Sequence, residues 1–325
     1  MSGVGMDAVR LKEPIAVPRN ILLAGAVLCA VALTPIWVTS QYWMYLANIS
    51  LIFSVIAIGL NITNGYLGVL NLAVAGQIGL GAYVCALLTL AGAPVPLALV
   101  CAAVTGTAIS ALIYLLLGRL DGFFFGLSTL AAGEIIRLLL RNLEEWTNGV
   151  RGLRGYPPLA DSPEFSFWIL LATVALLLVG MLIVIRGPIG LVWQAIRENS
   201  MKAAAAGIRV QRQKLFGYTI AGAIISLGGG YLALLAQYID PSISDLKMVV
   251  QAVLMVALGG FGTILGPVVG ATVITLLPEV LRVTNELRLI AYGLALIAVV
   301  LVAPGGIVGT IRQMRRAWRV RNRRI

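Results

Sequence analysis

The stretch RGPIGLVWQAIRENSMKAAAAGIRVQRQK, residues 186–214, is a polar segment the size of a helix, and it separates two long apolar runs, residues 165–185 and 215–238. Its only acidic residue is Glu198, whereas six residues are basic: Arg186, Arg197, Lys202, Arg209, Arg212 and Lys214. Loops rich in lysine and arginine tend to stay on the cytoplasmic side of a membrane. The stretch is therefore predicted to be a cytoplasmic loop between two membrane spans, where a short helix usually meets a partner.

The composition of the whole chain places it in a lipid bilayer. Of its 325 residues, 60% are apolar and 11% are charged, and the mean hydropathy is +0.97, which leaves too little polar surface for a soluble globule of this size. Most apolar runs approach or exceed the roughly 20 residues that a spanning helix needs, whereas barrel strands would alternate in runs of about 10. We therefore predict an all-α polytopic membrane protein.

The order of the apolar runs predicts about ten transmembrane or half-membrane helices. Nine runs can be counted: residues 21–38, 42–60, 67–90, 95–117, 122–140, 165–185, 215–238, 248–277 and 289–302. An odd number would separate the two termini, yet the tail, with seven arginines and no acid, marks the cytoplasmic side. The conflict disappears if residues 248–277 form two short passes, broken at residues 259–262 and again near Gly266. Both termini are then cytoplasmic.

Three regions follow from this pattern: a cytoplasmic segment, residues 1–20, a transmembrane domain, residues 21–303, which contains the cytoplasmic loop 186–214, and a basic cytoplasmic tail, residues 304–325. Basic residues precede the first apolar run, as they do in a signal peptide. No convincing small-residue cleavage site follows, so residues 21–38 are predicted to be the first transmembrane helix.

Composition and missing motifs exclude several classes of function. The net charge of +11 would suit nucleic acid, but the basic residues gather at loops and in the tail, where they meet anionic lipid, so no nucleic-acid partner is expected. There is no histidine, and Cys29, Cys85 and Cys101 lie inside apolar runs, so neither a metal site nor a catalytic residue is predicted. The G-x-x-x-x-G-K-[ST] phosphate loop is missing, so this chain is not expected to be an enzyme that hydrolyses ATP or to bind a cofactor itself.

Two charged residues lie well inside an apolar run, in the sequence LSTLAAGEIIRLLLRN, residues 127–142. Glu134 and Arg137 are three positions apart and share one face of a helix. An ion pair inside a membrane is expensive and by default marks a functional site. The alternative is a pair that neutralises itself and pins one helix against another. Both side chains are expected to face the protein interior rather than lipid.

Glycines interrupt two of the apolar runs, at Gly76, Gly79 and Gly81 and again within residues 259–262. Such breaks line the substrate path in many transporters, but glycine also serves close helix packing, which the sequence alone favours. The amides of Asn71 and Gln77 are candidates for the same path or for interhelical hydrogen bonds, whereas a role at a turn is favoured for Asn61 and Asn64. The candidate path residues are Asn71, Gln77, Gly79, Glu134, Gly259, Gly260 and Gly262.

Within the cytoplasmic loop, residues 191–206 are predicted to form one helix that stops at Gly207. Glu198 and Lys202 would form an i,i+4 ion pair on it. Four consecutive alanines, residues 203–206, make a smooth surface that suits docking into a groove on a partner. The alternative is a solvated helix that only links two spans.

Six stretches of the sequence resemble one family of membrane proteins. They are NGYLGVLNLAVAGQIGLGAY (64–83), LSTLAAGEIIRLLLRN (127–142), GLRGYP (152–157), AIRENSMKAAAAGIRVQRQKLFGY (195–218), LMVALGGFGTILGPVVGA (254–271) and PGGIVG (304–309). In this order, over residues 51–309, they resemble the permease subunits of bacterial branched-chain amino acid ABC transporters, the LivM-type members in particular.

The resemblance implies an inner-membrane subunit of an ATP-driven importer for branched-chain or other hydrophobic amino acids, or for small amides such as urea. The implied partners are a second permease, two cytoplasmic ATPases that bind ATP and Mg²⁺, and an extracytoplasmic solute-binding protein. In such importers a cytoplasmic helix carries an E-A-A-x-x-x-G signal, although alignment on Gly207 places Met201 at its acidic position here. The candidate ATPase-coupling residues in this region are Arg197, Glu198, Ala203, Ala204 and Gly207.

Two other functions remain beside this one. A transporter or channel for a small polar solute, driven by an ion gradient, would use Glu134 as its coupling group, but membrane-embedded acids are few in this chain. A structural or lipid-binding protein would use the arginine-rich residues 312–325 to hold anionic phospholipid.

Overall fold

The structure, a computed structural model, describes residues 40–280 and Gly306. The predicted N-terminal segment 1–20, the first span 21–38, the last span 289–302 and the basic tail 304–325 lie outside the described residues, apart from Gly306. The count of about ten helices and the cytoplasmic position of both termini therefore stay predictions.

Helices form nearly all of the described chain. They are α1 Gln41–Leu60, α2 Val74–Leu90, α3 Val95–Leu117, α4 Gly122–Asn142, α5 Glu144–Thr147, α6 Pro163–Arg186, α7 Pro188–Glu198, α8 Ser200–Ala205, α9 Val210–Ala236, α10 Leu246–Gly259 and α11 Gly266–Val280. A π-helical segment, Asn61–Leu67, continues α1, and two short 3-10 turns are Gly149–Arg151 and Pro241–Ser244. Two-residue strands, β1 Leu153–Arg154 and β2 Tyr238–Ile239, pair antiparallel, with Leu153 opposite Ile239.

Five helical stretches of the described chain are long and apolar enough to cross a membrane. They are Gln41–Leu67, Val95–Leu117, Gly122–Asn142, Pro163–Arg186 and Val210–Ala236. Three shorter apolar helices are Val74–Leu90, Leu246–Gly259 and Gly266–Leu277. The prediction of an all-α polytopic membrane protein is confirmed.

The centre of the protein is built where α9 packs against α1, α2 and α3. Glycines let the backbones of these helices touch. A Cβ on Gly81 of α2 would overlap the carbonyl of Ser226 on α9, and a Cβ on Gly229 would overlap the carbonyl of Ile78. Lipid is as apolar as a leucine side chain, so close backbone packing replaces the hydrophobic effect as the force that holds such helices together.

Replacing Gly81 with alanine is expected to destabilise the protein by about 1–3 kcal/mol, since the added methyl group overpacks a contact between two backbones. Gly180→Ala on α6 is the matched control, because a Cβ there meets nothing within 4 Å. The measurement is thermal unfolding of the two purified variants in detergent. Equal stability of the two would contradict the packing described for α2 and α9.

The glycines of residues 71–81 do not interrupt a helix, so the break predicted there is wrong, whereas close helix packing, which the sequence favours for glycine here, agrees with their contacts. The break comes earlier, where Gly68 takes a left-handed conformation (φ +68°) after the π-helical segment. From Val74 onward α2 is continuous through Gly76, Gly79 and Gly81. Glycine is needed at these three positions because each faces a neighbour that leaves no room for a side chain: Gly133, Ser244 and Ser226 respectively.

Residues 248–277 do divide into two short helices, α10 and α11, as the glycines predict. A Cβ on Gly259 would overlap the carbonyl of Gly266, and one on Gly270 would overlap that of Met255, so the two helices run antiparallel and close together. The 14 residues of α10 span about 21 Å, less than the hydrocarbon thickness of about 30 Å. The pair packs against α1, which covers backbone that lipid could not satisfy.

Segments that are predicted to lie on one side of the membrane meet at one end of the molecule. Asn61 and Arg197 belong to two such segments, and both lie against Gly262 of a third. Strands β1 and β2 join the loop that precedes α6 to the loop that precedes α10, and both loops are predicted to lie on the opposite side of the membrane.

Candidate functional site

An ion cluster joins the middle of α4 to the start of α10. Arg137 Nε donates to both carboxylate oxygens of Glu134 at 2.9 Å, and Arg137 Nη2 contacts Glu134 Oε1 as well. Arg137 Nη1 also lies 3.5 Å from Oδ1 of Asp245. Asp245 is the residue before the first turn of α10, where the positive end of the helix dipole favours a carboxylate. One guanidinium therefore serves two carboxylates from different elements.

The cluster is open to the surface of this chain. The side chains of Glu134 and Asp245 are 47% and 40% exposed, whereas that of Arg137 is 19% exposed. The expectation that both residues of the pair face the protein interior is therefore wrong for Glu134 within this chain. The reason is the rotation of α4: Gly133 and Ile136 take its buried side, and Gly133 sits against Gly76 and Ala73 of α2.

Beside Glu134 lies a cavity of about 360 Å³ between α2, α4 and α10. That volume falls in the range of small-molecule sites. Apart from Gly133, Glu134 and Ser244, its lining is apolar: Leu72, Ala75, Leu127, Leu130, Ala131, Leu246 and Val249. Ser244, which is only 3% exposed, has an Oγ that finds no hydrogen-bond partner among the described residues. A mixed-charge cluster next to an apolar wall can accept a zwitterion with an aliphatic side chain.

Asn71 and Gln77 do not lie on this open face. Both are fully buried, and Asn71 Nδ2 donates to Gln77 Oε1 at 3.1 Å, while Gln77 Nε2 donates to Ser110 Oγ at 2.8 Å. Tyr218 Oη in turn donates to Asn71 Oδ1 at 2.8 Å. Of the two interpretations left open for these amides, the contacts favour interhelical hydrogen bonds, which tie α2 to α3 and α9.

The glycines of the second break form the turn between α10 and α11. Gly260 and Gly262 have φ values of +111° and +71°, which favour glycine. Asn61 holds this turn, because its Nδ2 donates to the carbonyl of Thr263 at 2.9 Å and its Oδ1 accepts from the N–H of Gly262 at 2.9 Å. Gly259, Gly260 and Gly262 thus lie at the far end of α10 from Asp245, whereas Gly79 packs against Ser244 of the cavity.

The loop of residues 186–214, which is predicted to be cytoplasmic, contains two helices, so the prediction of one helix over residues 191–206 is wrong. The backbone of Asn199 is extended, and its Oδ1 accepts from the N–H of Lys202 at 2.9 Å, which ends α7 and caps α8. Glu198 and Lys202 consequently belong to different helices, and no ion pair joins them in the described part of the chain. An asparagine that can cap a helix competes with continuing one.

The predicted stop at Gly207 is confirmed. Gly207 has φ +85°, its N–H donates to the carbonyl of Ala204 at 2.9 Å, and the N–H of Ile208 donates to that of Ala203 at 3.1 Å. This is the Schellman arrangement that a left-handed glycine allows at the end of a helix.

The two loop helices differ in how they meet the rest of the chain. Helix α7 is anchored, since Trp193 and Ile196 are buried and Trp193 Nε1 donates to Gln213 Oε1 of α9 at 3.3 Å. On α8, Ala203 is buried, but Ala204 and its next two alanines are exposed, and Met201 is 81% exposed. The surface that α8 and its C-terminal end leave free therefore includes Met201, Lys202 and residues 204–206.

Sequence reasoning missed Asp245 and Ser244. Asp245 precedes an apolar run, as do many acids in outer loops, and nothing in its surroundings along the chain points to Arg137, 108 positions away. Only the packing of the 3-10 turn Pro241–Ser244 against α4 brings the two together. Tertiary folding likewise brings Asn61 to the turn that it binds, which lies some 200 residues later in the chain.

Comparison with known proteins gives one consistent result. Residues 42–303 match the family described as branched-chain amino acid transport system / permease component. The chain is 27% identical over 326 residues to the high-affinity branched-chain amino acid transport system permease protein LivM of Escherichia coli K12, which covers 91% of this chain and 76% of that protein. The LivM protein of Salmonella typhimurium LT2 is 28% identical over 297 residues, 82% of this chain and 70% of that protein.

A shorter match, 30% identical over 146 residues, is to the probable branched-chain amino acid transport permease protein LivH of Methanocaldococcus jannaschii. It covers 42% of this chain and 46% of that protein. No solved structure matches the chain. The apolar helices and these relatives make the protein a multi-pass protein of the inner membrane. Since the family match extends over most of its length, the chain belongs to the branched-chain amino acid transport permease family.

Proposed function

We propose that this chain is a permease subunit of an ATP-driven importer and forms the translocation path together with a second permease. The proposed solutes are branched-chain or other hydrophobic amino acids, or related small amides. The observation that carries the proposal is the Glu134–Arg137–Asp245 cluster, which is open to the surface in the middle of an apolar helix and adjoins an apolar cavity.

Charge on this face argues against lipid as its neighbour. A carboxylate in contact with hydrocarbon is expensive, so exposed intramembrane charges normally face protein or a water-filled route. Apart from Thr107, the exposed residues in the middle of α3 and α6 are apolar by contrast, among them Val104, Leu115 and Leu176. We infer that α3 and α6 face lipid and that the charged side of α4 faces the second permease across the path.

In the proposed path, positive and negative side chains would bind the two charged groups of a zwitterion. The Arg137 guanidinium matches the planar shape of a carboxylate, and the carboxylates of Glu134 and Asp245 can accept hydrogen bonds from an ammonium group. The apolar residues of the cavity would contact an aliphatic side chain. An extracytoplasmic solute-binding protein would deliver the solute to this face.

ATP hydrolysis would be coupled to transport through the cytoplasmic loop. We propose that two ATPase subunits, which would bind ATP and Mg²⁺, dock on this loop and on its counterpart in the second permease, with Met201 and residues 204–206 of α8 as the contact surface. Closure of the ATPases on ATP would then move the loops and rock the two permeases between inward-open and outward-open states. The permease residues supply binding and gating only.

The energy source tests this function directly. The complex that copurifies with this chain is reconstituted in liposomes, and uptake of radiolabelled leucine, isoleucine, valine and urea is measured with the solute-binding protein present. We expect uptake to require ATP on the side of the cytoplasmic loop, to stop with vanadate and to persist with a protonophore.

One observation favours a second candidate function. Glu134 is an exposed carboxylate in the middle of a spanning helix, which is the place of a proton-coupling group in an ion-gradient-driven transporter. Uptake that collapses with a protonophore while ATP is maintained, and that survives vanadate, would establish this function and reject the importer.

A further inference from the structure

Arg197 lies between the two glycine-containing breaks at the loop end of the molecule. It is the residue before the last of α7. A Cβ on Gly68, which follows the π-helical segment, would lie 3.1 Å from Arg197 Cγ, and a Cβ on Gly262, in the turn between α10 and α11, would lie 2.5 Å from Arg197 Nη1. Both glycines thus leave space for this one side chain, which lies against them and is otherwise exposed.

The two breaks are also tied to each other. Asn61 of the π-helical segment makes hydrogen bonds of 2.9 Å to Gly262 and to Thr263. A Cβ on Gly65 would lie 2.5 Å from the N–H nitrogen of Gly262. The π-helical segment, the turn and Arg197 therefore form one contact group.

Each end of this group leads to a different part of the molecule. On one side, Arg197 belongs to α7, which is anchored through Trp193 and Ile196 and leads through Asn199 directly into α8. On the other side, the turn is the end of α10, whose start carries Asp245 of the ion cluster. Leu246 and Val249, in the first turn of α10, line the cavity.

Charge supports the placement of an arginine here. The π-helical segment ends at Leu67 and α10 ends at Gly259, and the C-terminal ends of helices carry a partial negative charge. A guanidinium beside Gly68 and Gly262 is attracted to both ends, whereas a neutral side chain would only fill the space. The long aliphatic part of Arg197 supplies the packing against Gly68.

We propose that Arg197 is a positioning residue that couples the cytoplasmic loop to the cavity: displacement of α7 and α8 moves the turn at Gly260–Thr263, and α10 carries that movement to Leu246, Val249 and Asp245. The inference rests on the proposed docking of ATPases at α8. It assigns Arg197 an inward role toward the turn rather than a direct contact with an ATPase.

The test compares Arg197→Ala with Arg197→Lys, which keeps charge and length, and with Arg209→Ala, an exposed basic residue of the same loop as matched control. Three quantities are measured on each complex: the ATPase that copurifies, the rate of ATP hydrolysis, and uptake per ATP hydrolysed. For Arg197→Ala we expect normal copurification, continued hydrolysis, and uptake per ATP lowered by at least about 5-fold, the lower end of typical coupling between sites. Arg197→Lys should recover part of the loss, and Arg209→Ala should show none.

A distance measurement distinguishes a loss of coupling in Arg197→Ala from a loss of folding. Spin labels are placed at Met201 on α8 and at Phe261 in the turn, both exposed, in a background whose three cysteines are replaced by alanine. In the wild-type arrangement the separation of the labels should stay constant between nucleotide-free and vanadate-trapped states, because loop and turn move together. With Arg197→Ala the separation should change between the two states.

Wild-type uptake per ATP and an unchanged label separation in Arg197→Ala would overturn the inference while leaving the importer intact. If the unmodified complex neither retains an ATPase nor needs ATP, the importer proposal fails, and this inference fails with it. Should Arg197→Ala not accumulate in the membrane, Arg197→Met carries the same test, since it keeps carbon atoms against Gly68 and removes the guanidinium that lies beside Gly262.

Discussion

Replacement of Arg137 by alanine is expected to lower solute uptake by roughly 10- to 150-fold. The guanidinium binds both carboxylate oxygens of Glu134 at 2.9 Å and lies 3.5 Å from Asp245. A hydrogen bond to a charged group contributes about 1.5–3 kcal/mol, and each 1.4 kcal/mol changes an equilibrium about tenfold. The variant also leaves two carboxylates close together with no cation between them, which repels the carboxylate of a zwitterion. Uptake in reconstituted liposomes is the measurement.

Two further variants decide whether this cluster binds solute or only holds helices together. Arg141→Ala, one turn further along α4 and exposed, is the matched control and should transport normally. The double variant Glu134→Gln with Arg137→Gln removes both charges of the pair and leaves only Asp245, whose side chain is 40% exposed to solvent, so the amount of folded permease should match the wild type while uptake stays low. Normal uptake in the double variant would show that the pair is structural and would remove Glu134 and Arg137 from the path.

A tryptophan in place of Ala204 is expected to release the ATPase from the purified complex. Ala204 is exposed on the free side of α8, and a bulky side chain there would keep α8 out of a groove that fits alanine. Loss of a central interface contact costs about 2 kcal/mol or more, which corresponds to roughly a 30-fold weaker complex. The ratio of ATPase to permease after purification is the measurement.

The choice of Ala204 over its neighbours follows from the structure. Ala203 is buried against its own chain and Gly207 needs a left-handed backbone, so bulky residues at either position would disturb the loop itself. Leu191→Trp is the matched control, because Leu191 is 68% exposed on α7, in the same loop but away from α8. ATPase retention in Ala204→Trp equal to that in Leu191→Trp would place the docking surface elsewhere.

Predictions that depend on neighbouring residues were reliable for this protein. The glycines at 259–262 predict the division between α10 and α11, since a left-handed turn needs glycine whatever surrounds it. Gly207 predicts the end of α8 for the same reason. The prediction of one continuous helix over residues 191–206 is wrong because this alanine-rich segment contains Asn199, whose side chain caps a new helix.

Predictions about the path depended on contacts between distant residues and succeeded less well. Asn71 and Gln77 have the polarity of path residues, but their hydrogen bonds go to Ser110 and Tyr218 on other helices. Nothing in the sequence near Gly79 or Gly81 distinguishes a break from a packing surface, because both need the same small residue. Asp245 was unpredictable, since its partner Arg137 belongs to another helix.

By itself the sequence determined that this protein is a bundle of apolar helices with a basic, alanine-containing loop, and six ordered stretches identified its family. These properties follow from composition and local spacing, because the bilayer requires long apolar helices and left-handed turns require glycine. Only the tertiary structure decided which side of α4 carries exposed charge and which alanines of α8 are exposed. It also decided that Arg197 lies against both Gly68 and Gly262. Those facts depend on helix rotation, and a helix rotates to suit whichever neighbour it packs against.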